Sequence, residues 1–265
     1  MTSLRRLTSS LARSSRGRAI VVSLTTMVAF ASISALAGHL HAETTRDSIL
    51  TEGKKLYSQH DEELIIRHFF DDRREGFFLD VGAWMWKEAS TTYYLESHLG
   101  WSGIAIDAQK SLAADYKKHR PRTQFFSYLI TDHSGDTGTL YVAGPISSAD
   151  ESHLDIFKKH PERFPGAVML ETTPMKVRTI TLNDLLERSG VDEIDFMSMD
   201  IEGSEPPALA GFDIERYRPE LVCIEVSGKT QAAVAEYFAA HGYERIDEYL
   251  KHDYVNWYYT PKSSE

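Results

Sequence analysis

The chain has 265 residues, 42% of them hydrophobic, which is enough for one globular domain with a sizeable core and an appendage. The formal net charge is −10, yet residues 1–42 contain five arginines and no Asp or Glu. The remainder carries 24 Lys and Arg against 39 Asp and Glu, a balance that repels a phosphate backbone and excludes nucleic acid as the expected partner. The single cysteine, Cys223, excludes a disulfide framework and a Cys-rich metal site.

Residues 1–42 are predicted to be a signal peptide or a membrane anchor. The basic, Ser-rich start precedes an apolar run at 19–36, whose length of about 18 residues lies between a long signal-peptide core and a membrane-spanning helix. Arginines ahead of the run predict that the body crosses the membrane, to be exported or held there by this one segment if it is uncleaved. The alternatives are an organelle transit peptide and a cytosolic protein whose true start lies near Met27 or later.

The first half of the body alternates helices and strands. Residues 43–76 read as a linker and a lead-in helix ended by Gly76, followed by a buried strand at 77–81. A helix at 91–99, a strand at 103–106, a helix at 112–118 and a strand at 123–129 come next. Short connections between such elements predict parallel strands joined by helical crossovers.

The second half adds two less regular strands, at 139–142 and 176–180, with an insertion near 144–174 that we expect over one edge of the sheet. Thr181 is expected to cap a short helix, with Asp184 as its capping-box partner. Strands at 195–199 and 221–226 and a helix at 230–241 lead to a final pair, 243–249 and 255–260, whose short loop requires antiparallel pairing. The predicted fold is α/β: residues 77–262 form a mostly parallel seven-stranded sheet with an antiparallel C-terminal hairpin and helices on both faces.

Acidic residues follow nearly every predicted strand, at the edge where open parallel sheets bind ligands. Asp80 can face the amino-acid part of a cofactor, Gly82 lets the backbone approach closely, and Asp107 can accept two ribose hydroxyls side by side. Thr131 and Asp132 follow the third strand. The alternative is that these acids only cap strand and helix ends.

Several motifs resemble the FkbM family of S-adenosylmethionine-dependent methyltransferases over roughly residues 60–260. They are Asp80-Val81-Gly82-Ala83, Tyr94-Leu95-Glu96, the runs at 98–103 and 177–186, Ile194-Asp195-Phe196 and the distinctive Asp200-Ile201-Glu202-Gly203-Ser204-Glu205. The resemblance implies a Rossmann-like methyltransferase fold, S-adenosylmethionine as methyl donor, and a small-molecule acceptor such as a sugar, lipid or polyketide hydroxyl. The expected cofactor-binding residues are Asp80, Gly82, Ala83, Trp84, Asp107, Thr131 and Asp132.

The Asp200–Glu205 element is the expected catalytic region. Asp200 is predicted to lie near the transferring methyl group, and Glu202 or Glu205 to orient or deprotonate the acceptor hydroxyl. The alternatives are that Glu202 caps the following helix and that Glu205 pairs with an arginine. No metal is expected, although a divalent cation held by Asp200, Glu202 and Glu225 is conceivable because carboxylates suit hard cations.

One departure from the family pattern leaves a second function open. Trp84-Met85-Trp86 stands where family members tend to have a small, glycine-containing loop. If the indole rings occupy the adenosine pocket, the chain is a non-catalytic binding or assembly protein on a degenerate scaffold outside the cytoplasm, whereas rings that line the pocket are compatible with an enzyme. The sequence contains neither a nucleophile-elbow motif nor a dinucleotide or phosphate-loop signature.

Overall fold

Ten strands form in the part of the chain that the computed structural model describes, residues 46–159 and 172–263. In chain order, they are Phe77–Val81 (β1), Ser102–Ile106 (β2), Thr123–Phe126 (β3), Leu129–Ile130 (β4), Thr137–Val142 (β5), Thr173–Ile180 (β6), Phe196–Met199 (β7), Leu221–Glu225 (β8), Tyr243–Arg245 (β9) and Asn256–Pro261 (β10). Seven of them make one sheet in the order β3-β2-β1-β7-β8-β10-β9. β10 runs opposite to the other six strands of this sheet, so the predicted mostly parallel sheet with an antiparallel C-terminal hairpin is confirmed.

From Gly53 onward, the described residues form eight α-helices. They are Glu62–Phe70 (α1), Tyr93–Leu99 (α2), Ala113–His119 (α3), Glu151–Lys159 (α4), Leu182–Ser189 (α5), Glu205–Ala210 (α6), Ile214–Tyr217 (α7) and Gln231–Ala240 (α8). Strands β1, β2, β7 and β8 are buried along almost their whole length, as expected for a parallel sheet covered on both faces. One core cluster joins Leu79 and Met197 of the sheet to Leu185 of α5 and Phe238 of α8.

Three strands outside this sheet form a second one, in the order β4-β6-β5. The prediction of one strand over 123–129 is therefore wrong: β3 ends at Phe126, and Leu129 and Ile130 pair with Thr179 and Ile180 of β6. β2, the partner of β3, ends at Ile106 opposite Phe126, so the two strands end together. β5 and β6 pair antiparallel, and the insertion connects them.

Two other predicted boundaries need correction. The strand predicted at 243–249 ends at Arg245 and gives way to a 3₁₀ turn, Asp247–Lys251. The lead-in helix ends at Phe70 rather than at Gly76, because Asp71 takes the left-handed conformation with φ 52°. Thr181 caps α5 as predicted, accepting the Asp184 N–H at 3.0 Å, but the Thr181 N–H donates to Ser134 Oγ, so Asp184 does not return the capping-box bond.

Residues from Gly53 onward form one compact unit, and residues 46–52 are helical within the preceding one. Among the described residues, no helix has the length and apolar character needed to cross a membrane. The predicted leader at 1–42 lies outside the described residues, as does the part of the insertion at 160–171. The predicted domain boundaries therefore stay predictions.

Candidate functional site

The carboxyl ends of β1, β2 and β7 are tied together at one edge of the sheet. The Gly82 N–H donates to Ile106 O, and the Asp200 N–H donates to Val81 O, each at 2.9 Å. Gly82 has a φ of +87°, and a Cβ there would lie 1.7 Å from the Asp200 carbonyl oxygen. Only glycine permits this approach, and it brings Asp200 beside the first strand. Two cavities open at this edge.

The narrow cleft, with a volume of about 60 Å³, lies beside Asp107. Asp107 Oδ2 accepts the Trp84 N–H at 3.1 Å, and Oδ1 accepts the Gln109 N–H at 2.7 Å. Each carboxylate oxygen has two lone pairs, so Asp107 can accept two more hydrogen bonds side by side. Burial raises its pKa, opposed by these two N–H groups. Apolar walls complete the cleft, and they include Ile106, Tyr128, Ile130 and Leu140. These residue types suit two vicinal hydroxyls next to a flat apolar ring, although the cleft itself is narrow.

The large cavity, of about 650 Å³, has a strongly acidic lining. Its five carboxyl groups belong to Glu62, Asp80, Asp200, Glu202 and Glu225, and its lining residues include neither Lys nor Arg. Such a lining favours ligands that are cationic or donate hydrogen bonds, and it disfavours phosphates and carboxylates. At the rim, Tyr254 is 84% exposed, and its ring centroid lies 5.5 Å from that of His60.

The two cavities meet at five residues that line both of them, Gly82, Trp84, Pro145, Asp200 and Glu202. A ligand that extends from the narrow cleft into the large cavity must pass these side chains. The junction therefore places the predicted catalytic acids Asp200 and Glu202 between a candidate nucleoside site and a candidate acceptor site.

Asp80 is held from behind by a chain of buried hydrogen bonds. Thr92 Oγ1 donates to Asp80 Oδ2 at 2.7 Å, and Arg120 Nη2 donates to Thr92 Oγ1 at 3.1 Å. Arg120 is fully buried and pairs with Glu96, the acid of the Tyr94-Leu95-Glu96 motif. Burial raises the pKa of Asp80 to about 6, while the Thr92 hydrogen bond and the Arg120 charge oppose the rise. These hydrogen bonds fix the orientation of the Asp80 carboxyl in the large cavity.

Asp200 and Glu225 form a coupled acidic pair. One oxygen each of Asp200, Glu202 and Glu225 lies within 4.8 Å of the others. The Asp200 side chain is exposed to the cavity, and desolvation by the surrounding protein atoms, with the Glu225 charge, raises its pKa well above the ordinary value. Burial and the charges of Glu202 and Glu205 raise the pKa of Glu225 to about 8. We therefore expect the pair to retain a proton at neutral pH.

The same three oxygens could also bind a hard divalent cation, the alternative that the sequence left open. No metal was predicted, and that stays a prediction.

The loop that carries these acids is held by Glu205. Glu205 Oε1 accepts the N–H groups of Ile201 at 3.2 Å and Gly203 at 3.1 Å, and the residue is 1% exposed. The Glu205 carboxylate thus binds backbone amides and not an arginine, which was the alternative. Glu205 does not line either of the two cavities. Glu202 does line both, and its side chain bonds to His153 rather than capping α6.

The two tryptophans of the unusual loop have different positions. Trp84 lines both cavities. Trp86 packs away from the site, stacked on His119 at 4.2 Å between ring centroids and edge-on to Tyr93. Of the two indoles, only that of Trp84 reaches the site, and it forms part of the cavity walls. This is the arrangement expected of a chain that binds a ligand there.

Of the three remaining predicted cofactor-binding residues, one lines a cavity and two do not. Ala83 lines the large cavity, and its carbonyl oxygen accepts the Tyr116 hydroxyl at 3.0 Å. Thr131 and Asp132 lie outside both cavities, and Asp132 is an exposed residue that bonds to His133 and Thr131. Sequence reasoning did not place His153 or Tyr254 at the site, since no motif or spacing distinguishes them. Glu225 was recognisable only as the acid that ends a strand.

Comparisons with known proteins identify the family of this chain. A family model described as "Methyltransferase FkbM domain" matches residues 72–245. A TehB-like SAM-dependent methyltransferase from Corynebacterium glutamicum is 14% identical, with a TM-score of 0.43 over 86% of this chain and 100% of that one. Precorrin-6y C5,15-methyltransferase from Geobacter metallireducens is 12% identical, with a TM-score of 0.38 over 73% of this chain and 76% of that one. Both TM-scores are below 0.5, so these likenesses add nothing to the topology above. No curated protein sequence matches the chain.

Proposed function

We propose, from the premise that this chain belongs to the FkbM-domain family of S-adenosylmethionine-dependent methyltransferases, that it methylates a hydroxyl oxygen of a small molecule such as a sugar, lipid or polyketide. The observation that carries this proposal is the junction of the two cavities at Gly82, Trp84, Asp200 and Glu202. It offers a nucleoside-type cleft and an acceptor-sized cavity on either side of the same carboxylates.

The residues of the narrow cleft fit the nucleoside part of the donor. Asp107 has the acceptor capacity for both ribose hydroxyls, and the apolar walls suit an adenine ring. Asp80, on the large-cavity side, has the charge to bind an ammonium group when ionised. Bound S-adenosylmethionine supplies an electrophilic methyl group on a positively charged sulfur. The cleft is narrow, so we expect the wall formed by residues 144–149 to move outward when a nucleoside enters.

The acids at the junction then serve the acceptor. Displacement at a methyl group requires an aligned oxygen and removal of its proton. Glu202 lines both cavities and is the carboxylate that we assign as proton acceptor. Asp200 and Glu225, which share a proton, can accept and donate hydrogen bonds to the same hydroxyl. Trp84, as a lining residue, favours this enzyme over a binding protein with a filled pocket.

Titration of S-adenosylhomocysteine into the full chain by calorimetry tests the cofactor part of the proposal. We expect micromolar binding that Asp107→Ala weakens by at least tenfold, because two hydrogen bonds to a charged acceptor are lost. Asp132→Ala is the matched control: this exposed aspartate lies outside both cavities, so its removal leaves the affinity unchanged. No binding at millimolar ligand contradicts the proposal, and equal losses in both variants contradict the assigned cleft.

A radiolabel assay tests the oxygen acceptor. With [methyl-³H]S-adenosylmethionine and a panel of sugars, lipids and polyketides, we expect label in a product that resists mild alkali, as an ether does. Label that mild alkali releases as methanol identifies a methyl ester and refutes the hydroxyl assignment.

The location of the domain remains a proposal from the sequence. We propose that the leader at 1–42 exports the body, anchors it in a membrane or directs it to an organelle. Mass spectrometry of the mature N-terminus, together with cell fractionation, distinguishes these outcomes, and an intact Met1 in a soluble cytosolic protein contradicts all three.

A further inference from the structure

We propose that His153 is a positioning residue that holds the Glu202 carboxylate in the large cavity, so that α4 of the insertion completes the acceptor end of the site. His153 Nε2 lies 2.9 Å from Glu202 Oε2, and both side chains line the large cavity. We assign the proton of this hydrogen bond to Nε2, because a carboxylate that is to receive a proton from the substrate can only accept hydrogen bonds. This inference rests on the role of Glu202 as the proton acceptor proposed above.

The backbone of Glu202 also depends on the insertion. Glu202 adopts φ 55°, a left-handed conformation that non-glycine residues keep only where their surroundings fix it. Ser148 Oγ, just before α4, donates to the Glu202 carbonyl oxygen at 2.7 Å. The insertion therefore holds Glu202 at two points, once through the backbone and once through the side chain.

Gly203 makes room for the imidazole. Its φ is +92°, and a Cβ at this position would lie 2.8 Å from His153 Nδ1. Any side chain at 203 would displace His153 from Glu202 as well as strain the backbone. The glycine of the Asp200–Glu205 element is thus explained by a residue 50 positions earlier in the chain.

The start of α4 is itself anchored. Asp150 Oδ1 accepts the Ser152 N–H at 2.9 Å, and Lys229 Nζ donates to Ser152 Oγ at 2.8 Å. His153 is only 4% exposed. The imidazole therefore reaches Glu202 from a backbone that is anchored on its N-terminal side, and its burial leaves it little freedom to turn elsewhere.

The charges agree with a donating imidazole. Burial opposes the protonated form of His153, but the hydrogen bond to Glu202 and the charges of Glu202, Glu225 and Glu205 raise its pKa. A glutamate on a loop has three rotatable side-chain bonds, and a catalytic group displaced by about 1 Å can lose about 100-fold in rate. Fixing Glu202 is what the His153 contact contributes.

Two substitutions separate positioning from packing. His153→Gln keeps an N–H donor close to the place of Nε2, whereas His153→Phe keeps the ring but removes the donor. His241→Phe, on a histidine that bonds to Tyr237 O outside both cavities, is the matched control. Each full-length protein is measured for S-adenosylhomocysteine affinity, for amide hydrogen exchange of residues 200–205, and for methyl transfer to methyl α-D-glucopyranoside as the probe acceptor.

We expect His153→Phe to speed exchange at 200–205 and to lower the transfer rate by about 100-fold, with a change below about threefold in S-adenosylhomocysteine affinity. His153→Gln restores slow exchange and most of the rate. Unchanged exchange in His153→Phe overturns the inference, whether or not the probe is methylated. Where the wild type methylates the probe, an equal rate in the Phe and Gln variants overturns it as well. Failure of the wild type to bind S-adenosylhomocysteine refutes the proposed function instead, while the exchange comparison still decides the position of Glu202.

Discussion

Gly82→Ala is the sharpest test of how the strand ends build the site. The new Cβ would lie 1.7 Å from the Asp200 carbonyl oxygen and 3.1 Å from Ile201 Cγ2, so β1 and β7 must move apart. The left-handed backbone costs about 1–2 kcal/mol for a non-glycine residue, and overpacking against a rigid neighbour adds about 1–3 kcal/mol. We expect a loss of about 2–5 kcal/mol in the free energy of unfolding, measured by urea titration. Asp200 moves with the strand, so S-adenosylhomocysteine affinity falls as well.

Gly190→Ala is the control for the backbone term. Gly190 has φ +67°, and a Cβ there would meet nothing within 4 Å. This variant should lose only the backbone cost of about 1–2 kcal/mol and should keep its cofactor affinity. If the two variants differ by less than about 1 kcal/mol, the close approach of Gly82 to Asp200 does not exist in solution.

Three further outcomes follow from the site. Folding raises the Glu225 pKa from 4.5 to about 8, so this carboxyl stabilises the fold fully below pH 4.5, and the contribution is lost as the pH rises through 8. Glu225→Gln should therefore flatten the fall in unfolding free energy between roughly pH 5 and 9, and an equally steep fall in the variant contradicts the shift. Arg120→Met leaves Glu96 buried without its charged partner and should cost about 3–5 kcal/mol of stability in urea titration; a cost near zero would show that the pair is solvated. Tyr254→Ala should raise the acceptor KM, while stability stays within about 0.5 kcal/mol and cofactor affinity is unchanged; a raised cofactor Kd would place Tyr254 at the wrong ligand.

The sequence was a good guide wherever local pattern determines structure. The apolar runs that became β1, β2, β7 and β8 are buried on both faces, and such runs are recognisable because every position is apolar or small. The final pair was predicted to be antiparallel, and it is, although β9 ends at Arg245 and the connection to β10 is longer than the predicted loop. The split of residues 123–130 into β3 and β4 was not predictable, because it depends on where the neighbouring strand β2 ends.

The candidate site shows the same division. Asp80, Asp107 and Asp200 could be named in advance because acids at the carboxyl ends of parallel strands must face one edge of the sheet. Thr131 and Asp132 follow a strand by the same rule, yet they lie outside both cavities, since β4 leaves the main sheet to pair with β6. The rule predicts the edge of a sheet at which these residues lie, but it does not predict which sheet a strand joins.

The sequence by itself determined the order of strands and helices, the family, and the acidic edge, because each is encoded in the local spacing of side chains. Only the tertiary structure decided which indole of the Trp84-Met85-Trp86 loop lines the cavities, and that Glu202 is held by His153, 49 residues away. Contacts over such separations depend on how the insertion folds back onto the sheet, and no periodicity along the chain records that path.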